Sequence, residues 1–485
     1  MTPEIFKYAL TALFVLLTFG LSYIGMKKTK DMKGYAIGNK DMNPYLIGIT
    51  MAASIASTAT FVINPGFVYV HGLSAYVHYG IAASAGILTA FLLLTKGFRN
   101  IGDAAGSLTI PDWIYHRYGN RGLSLFFAGI NLLSITFVVL ILVGCSILMA
   151  QLFGIDQKVA LTITLLFVFS YVLMGGTYAH AYTNTFQGIM MLGIALFLFF
   201  GGVKYFDGGF MNALQGVSAN YASIYNPESP LYYDFISVFA SGFIITFALM
   251  MQPHILTKVL YIKSDEDVNK FIGTTVVVGL CFSLIMFIGF FAKLKGLDIA
   301  RQDTVVVQYI VSEYATSSWG MYFLAFVSIS LLAAGMSTLD GILVSLSAMV
   351  VNDIYKPLAK NGQLDPKKAL WLSRGVLIGV GLFSYALAYN PPKLVGLFAQ
   401  KGVYGLAAAS LVPILFGVLY KKGLPLWVVS TAAMIGLFGH LIMNLFLGVA
   451  NPAVSSTYAI FMSLGFTLIS LFFVGRGEVQ KSQTA

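Results

Sequence analysis

The feature that most limits what this chain can fold into is its rhythm of long apolar runs. About thirteen stretches, near 6–26, 44–70, 74–95, 122–152, 159–176, 184–203, 233–252, 269–292, 319–350, 370–388, 395–419, 425–448 and 454–475, are each long enough to cross the roughly 30 Å of hydrocarbon in a bilayer. Inside hydrocarbon every backbone N–H and C=O must find a partner within the protein, which leaves helices as the structure for separate spans of this length. The expected class is an all-α integral membrane protein. Composition agrees, since 58% of the 485 residues are hydrophobic and 10% are charged, against roughly 25% charged in soluble domains. One transmembrane domain over residues 1–476, with a short cytoplasmic tail at 477–485, accounts for the length.

The basic residues then set an orientation. One alternating set of loops and span ends holds 21 of the 29 Lys and Arg, from Lys27 and Lys28 through Arg99, Lys258 and Lys368 to Arg476 and Lys481. The opposite set holds seven, and Lys401 falls within a span. Cytoplasmic loops accumulate positive charge, so the N-terminus is expected outside and the C-terminus inside, in a multi-pass protein of the cell (inner) membrane. The same asymmetry explains the net charge of +10 without a nucleic-acid partner; the bilayer is the partner. Cys145 and Cys281 lie in apolar runs and imply neither a disulfide framework nor a metal motif. The first 26 residues carry no basic leader or small-residue cleavage site and read as a retained span.

Two spans look built to be interrupted or to line a site. Residues 44–70 gather Ala52, Ala53, Ser54, Ala56, Ser57, Thr58, Ala59 and Thr60 at mid-span, followed by Pro65 and Gly66. Such residues allow a helix either to unwind, exposing carbonyls as cation ligands, or simply to pack closely. The ninth span carries Ser337, Asp340 and Ser347 within about 80° of one another on an otherwise apolar helix. An acid at that depth costs roughly 3 kcal/mol on insertion scales and points to an ion or substrate pathway.

The chain resembles the sodium/solute symporter family, the group that includes sodium-coupled proline, pantothenate, sialic acid, monocarboxylate and sugar carriers. The resemblance rests on the SIAST segment followed by Pro65-Gly66, on Met174-Gly175-Gly176 with Phe186-Gln187-Gly188 behind it, on Gln252-Pro253-His254, and on Ala334 to Thr338 leading into Asn352-Asp353-Ile354-Tyr355. It implies a LeuT-like inverted repeat of five plus five helices, about 44–203 and 233–419, with one extra N-terminal and two extra C-terminal helices and with spans two and seven broken. It further implies secondary active transport: sodium-coupled symport of a small organic solute by alternating access, with sodium as coupling ion, no cofactor and no enzymatic activity. A monomer is expected to suffice. The implied sodium ligands are the carbonyls of Ala53, Ala56 and Ala334 and the hydroxyls of Ser337 and Thr338, all oxygens, as a hard cation prefers.

The chain departs from the family pattern at a second cation position, where Asn184 stands in place of an aspartate and Asp340 follows Thr338. Three readings of Asp340 stay open: a second cation site shared with Asn184 and Ser337, a proton-carrying acid, or a structural acid bonded to its neighbours. For the solute, the candidates are Ser57, Thr58, Tyr76, His78, Gln252, Gln400 and Lys401. Ile245 and Leu249 stand where proline carriers place aromatic residues, and the fourth span lacks the arginine of sialic acid carriers. Lys401 is the one cation well placed to meet a carboxylate, the other reading being that it snorkels to the outer surface; a small carboxylate or amino-acid-like solute is the expectation. His254 and Lys258 are expected to brace an inner gate or satisfy helix-end carbonyls. A proton-coupled carrier using Asp340 is the alternative. An ion channel is further away, because the chain has no repeated filter sequence.

Overall fold

The computed structural model describes residues 1–359 and 364–473; the expected cytoplasmic tail at 477–485 lies outside them. All regular structure among the described residues is helical. Ten helices are long and apolar enough to cross a membrane, or twelve if each of two bent pairs counts as one span. The expected count of about thirteen is one higher because 159–176 and 184–203 join end to end in α5 below, across a kink at Gly175 and Gly176 where the backbone is not helical.

The elements that matter for the site are α1 (Pro3–Lys28), α2 (Pro44–Ile55), α3 (Asn64–His71), α4 (Ile135–Phe153), α5 (Gln157–Gly202), α6 (Ser241–Leu249), α7 (Pro253–Leu256), α8 (Ser318–Met349) and α9 (Val395–Leu419). Burial sorts them into a centre and a rim. The spans of α8 and α9 are 72% and 78% buried, whereas that of α1 is 22% buried and leaves its Leu and Tyr side chains facing outward. In a membrane protein outward apolar surface is solvated by lipid, so the buried helices α4, α8 and α9 form the protein's interior.

Both expected interruptions are present. α2 starts on Asn43, whose side chain accepts from Tyr45 N at 2.8 Å, with Pro44 in the first turn where its missing N–H costs nothing. It stops at Ile55, because Ala56 takes φ −83°, ψ 70°. The helix restarts at Ala59, whose N–H is taken up by Ser57 Oγ at 3.1 Å, and the two halves meet at 53°. The second interruption lies between α6 and α7 and bends the chain by 62°. Pro253 causes it: the residue before a proline is pushed out of the helical region, and Gln252 sits at φ −64°, ψ 148°.

A third irregularity lies inside α5, where Gly175 (φ −150°) and Gly176 (φ +53°) leave the helical region. Gly176 needs its missing side chain twice over, for the positive φ and because a Cβ there would strike the Tyr35 ring. The interior is closed by small residues at the first interruption. A Cβ on Gly144 of α4 would meet the Thr58 methyl, and one on Gly335 of α8 would meet Cys145 Sγ and Thr58 Oγ1. Close backbone approach of this kind is how helices associate where no hydrophobic effect drives them together.

Candidate functional site

The first interruption frees backbone carbonyls. Ala56 N still bonds Ala52 O, but Ser57 N turns back to Ile55 O, and the carbonyls of Ala53, Ser54 and Ala56 have no backbone donor among the described residues. Helix α8 passes beside them and supplies hydroxyls. Ser337 Oγ donates to Ala53 O at 3.0 Å and lies 2.8 Å from Ala334 O, and Thr338 Oγ1 donates to Ser54 O at 3.0 Å. Ser337 therefore has one proton for two carbonyls, and the cluster is rich in unsatisfied oxygen lone pairs. Ala53, Ala334, Ser337 and Thr338 are fully buried and Ala56 is buried at the break itself.

Asn184 and Asp340 make no direct hydrogen bond; His180 stands between them, its Nε2 3.4 Å from Asn184 Nδ2 and its Nδ1 on Asp340. Asn184 Nδ2 donates to Ser54 Oγ at 2.9 Å and to Ser337 O at 2.8 Å, while its Oδ1 has no partner. Asp340 faces the same helix, α5: Oδ1 is 2.8 Å from His180 Nδ1, and Oδ2 lies 3.4 Å from Tyr171 OH and 3.5 Å from Thr183 Oγ1. All three partners are able to donate, so the carboxylate acts as acceptor throughout. Ser347, the third residue of the polar stripe, bonds Tyr35 OH at 2.9 Å.

Beside the interruptions lies a cavity of about 400 Å³. Ser57, His78, Gln252 and Gln400 line it, together with Thr60, Tyr79 and His254. Gln400 Nε2 donates to Tyr79 OH at 3.1 Å, which also accepts from Tyr232 OH at 2.9 Å. His78 Nδ1 lies 3.0 Å from Val238 O, so Nδ1 carries the proton and Nε2 is left as an acceptor. Gln252 Oε1 and both ring nitrogens of His254 are buried without a partner.

Three of the expected solute residues lie elsewhere. Thr58 points to the other side of the interruption, 3.9 Å from Cys145 Sγ. Tyr76 belongs to an aromatic cluster, its ring centroid 4.9 Å from that of Phe287. Lys401 is one residue beyond Gln400, a rotation of about 100°, and does not line the cavity; its carbonyl meets His440 Nε2 at 2.9 Å. The carboxylate contact expected of Lys401 thus has no basis in the cavity, and no Lys, Arg, Asp or Glu lines it.

Two residues matter more here than sequence reasoning anticipated. His180 is one turn before Asn184 on α5, a spacing that places both on one face and was available as a signal. Lys258, expected near helix-end carbonyls, does bond His254 O at 2.6 Å, but its Nζ also reaches across to Ser54 Oγ at 2.8 Å.

Interrupted helices around a buried oxygen cluster and an adjoining closed-in cavity are the layout of a multi-pass membrane transporter. The solved structures agree in fold: a sodium-coupled sialic acid symporter, captured substrate-bound and outward-open, superposes with a TM-score of 0.74 at 18% identity, covering 96% of this chain and 98% of that one. The nucleobase-cation-symport transporter Mhp1 in a closed conformation follows at 0.54, with 13% identity over 93% of this chain and 98% of the other. Residues 35–439 match the model of the sodium:solute symporter family, and the chain belongs to that family. Among curated relatives, the sodium/pantothenate symporter of Haemophilus influenzae is 25% identical over 97% of both chains. The high-affinity proline transporter of Bacillus subtilis is 25% identical over 94% of both. The family transports and does not catalyse, and its coupling ion is sodium.

Proposed function

We propose that this protein carries a small carboxylate or amino-acid-like solute across the cell membrane together with sodium, by alternating access. The observation that carries the sodium half is the cluster at the first interruption: the carbonyls of Ala53 and Ala334 meet the Ser337 hydroxyl and that of Ser54 meets Thr338, with fewer protons than lone pairs, and the Ala56 carbonyl at the same break has no backbone donor among the described residues. A cation entering there replaces hydroxyl protons as the partner of those carbonyls, and a neutral cage binds it weakly enough to let go. In this reading the ligands are Ala53, Ala56, Ala334, Ser337 and Thr338, the set the resemblance implied.

The solute occupies the adjoining cavity, with Ser57, His78, Gln252 and Gln400 as contacts and His254 added to them. Pantothenate and proline, for which the relatives are named, both carry a carboxylate, which supports the solute class. Counting α5 as two crossings at Gly175-Gly176 gives thirteen spans, with the N-terminus outside, the C-terminus in the cytoplasm, and inverted repeats at about 44–203 and 233–419. One chain holds both the ion cluster and the cavity, so a monomer suffices.

The test is uptake into proteoliposomes of a labelled panel including proline and pantothenate, under an inward sodium gradient, a proton gradient, or neither. Uptake that requires sodium is expected. Uptake driven equally by protons contradicts sodium coupling and returns Asp340 to the role of proton carrier.

A further inference from the structure

Lys258 is 1% exposed, and among the described residues no carboxylate lies within 4.0 Å of its ammonium. A buried ammonium without a direct counter-ion is expensive to fold around, so its position calls for a functional account. Its two acceptors are His254 O at 2.6 Å and Ser54 Oγ at 2.8 Å. The second is the only hydrogen bond among the described residues between the two interrupted spans, residues 44–71 and 236–261.

Ser54 is a junction. Its Oγ takes Lys258 Nζ and Asn184 Nδ2, and the other hydrogen of that amide goes to Ser337 O. Its carbonyl takes Thr338 Oγ1, and the neighbouring Ala53 carbonyl takes Ser337 Oγ. The same Asn184 amide lies 3.4 Å from His180 Nε2, and His180, Tyr171 and Thr183 hold Asp340 as an acceptor. Lys258 and Asp340 thus sit at two ends of one chain of hydrogen bonds, through Ser54, Asn184 and His180, that runs past the oxygen cluster.

We propose that Lys258 is a resident cation that competes with sodium across Ser54. This rests on the sodium site of the preceding subsection. With that site empty, the ammonium balances Asp340 and ties the two interrupted spans together. Sodium arriving on the Ala53, Ala334, Ser337 and Thr338 oxygens puts a second positive charge on the residue next to Ser54, and like charges in a buried setting repel strongly. The Lys258–Ser54 bond yields, and the two interrupted spans are released from each other. Asp340 is already balanced by Lys258, so no second sodium is needed and one ion accompanies each solute.

The experiment is equilibrium binding of sodium alone to the purified full-length protein, without solute. The wild type is expected to bind with a Hill coefficient of about one. Lys258→Met and Lys258→Gln are expected to bind sodium about tenfold more tightly, the reverse of what damage beside a binding site produces, and Lys258→Arg to stay near wild type. Asp340→Asn should weaken binding, and joining it to Lys258→Met should bring affinity back toward wild type. Unchanged or weaker binding in both neutral variants, beside a wild type that binds, overturns the proposal and leaves the sodium site standing. Two cooperative ions in the wild type overturn it as well. A wild type that binds no sodium removes the site itself, and this proposal with it.

Discussion

The two interruptions differ in what surrounds their freed carbonyls. At the first, between α2 and α3, the backbone is what goes unpaired: the Ala53, Ser54 and Ala56 carbonyls lose their backbone donors, and two hydroxyls from α8 partly replace them. At the second, between α6 and α7, the N–H groups are taken up by short bonds such as Met251 N to Ala248 O at 3.0 Å and Gln252 N to Leu249 O at 3.1 Å, while the Met250 and Met251 carbonyls have no backbone donor among the described residues. There side chains also go unpaired, namely Gln252 Oε1 and both nitrogens of His254. Freed carbonyls in a tight, small-residue setting suit a bare cation; unpaired amide and imidazole groups facing a 400 Å³ cavity suit an organic solute. The contrast supports the proposal that the ion sits at the first interruption and the solute in the cavity that Gln252 and His254 line.

The largest expected effect comes from filling the packing that holds the first interruption in place. Gly335→Val puts a side chain into Cys145 Sγ and Thr58, and overpacking of this kind costs about 1–3 kcal/mol. A lowered unfolding temperature together with loss of sodium binding is expected; wild-type stability and binding would show that this contact does not shape the site.

A smaller effect should separate the two interruptions functionally. His254→Ala and Gln252→Ala are expected to raise the solute concentration for half-maximal uptake by about tenfold, roughly 1.4 kcal/mol, while sodium binding measured without solute stays within about twofold. Equal damage to both ligands in both variants would merge the two sites into one.

The smallest effect lies far from either interruption and serves as a control. Glu313 is partly buried, which pushes its carboxyl up, but hydrogen bonds from Lys204, Lys295 and Tyr205 outweigh burial and hold it near 2, below its ordinary 4.5. A depressed acid stabilises above its unfolded value and loses that contribution as pH falls through the folded one. The wild type should therefore unfold at a slightly higher temperature than Glu313→Gln near pH 6, with the gap closing between about pH 4.5 and 2, and sodium affinity at neutral pH should be the same in both. A constant gap would mean that Glu313 contributes through shape and not charge.

Much of this was legible in the chain. Apolar length marked the spans, the small-residue run at 52–60 left an interruption open as one of two readings, and the second interruption came only as what the family resemblance implied. Ala53, Ala334, Ser337 and Thr338 came from family resemblance, not from periodicity, and they do meet in space. What escaped was rotation. Helical phase carries across an unbroken helix but not across Ala56 to Thr58, so Thr58 was grouped with Ser57 although the two face opposite sides of the break. Lys401 was grouped with Gln400 although one residue turns it off the cavity. Lys258 was placed by its distance from a helix end, and nothing local shows that a four-carbon side chain spans to Ser54 on another helix.

The most direct measurement is equilibrium sodium binding to purified protein carrying Ser337→Ala and Thr338→Ala together, with no solute present. These substitutions remove both hydroxyls while leaving the freed carbonyls and the cavity in place. The sodium dissociation constant is expected to rise at least about tenfold, roughly 1.4 kcal/mol, with the double variant still folded by its unfolding temperature. Wild-type affinity in that folded double variant would contradict the assignment of the ion to the first interruption.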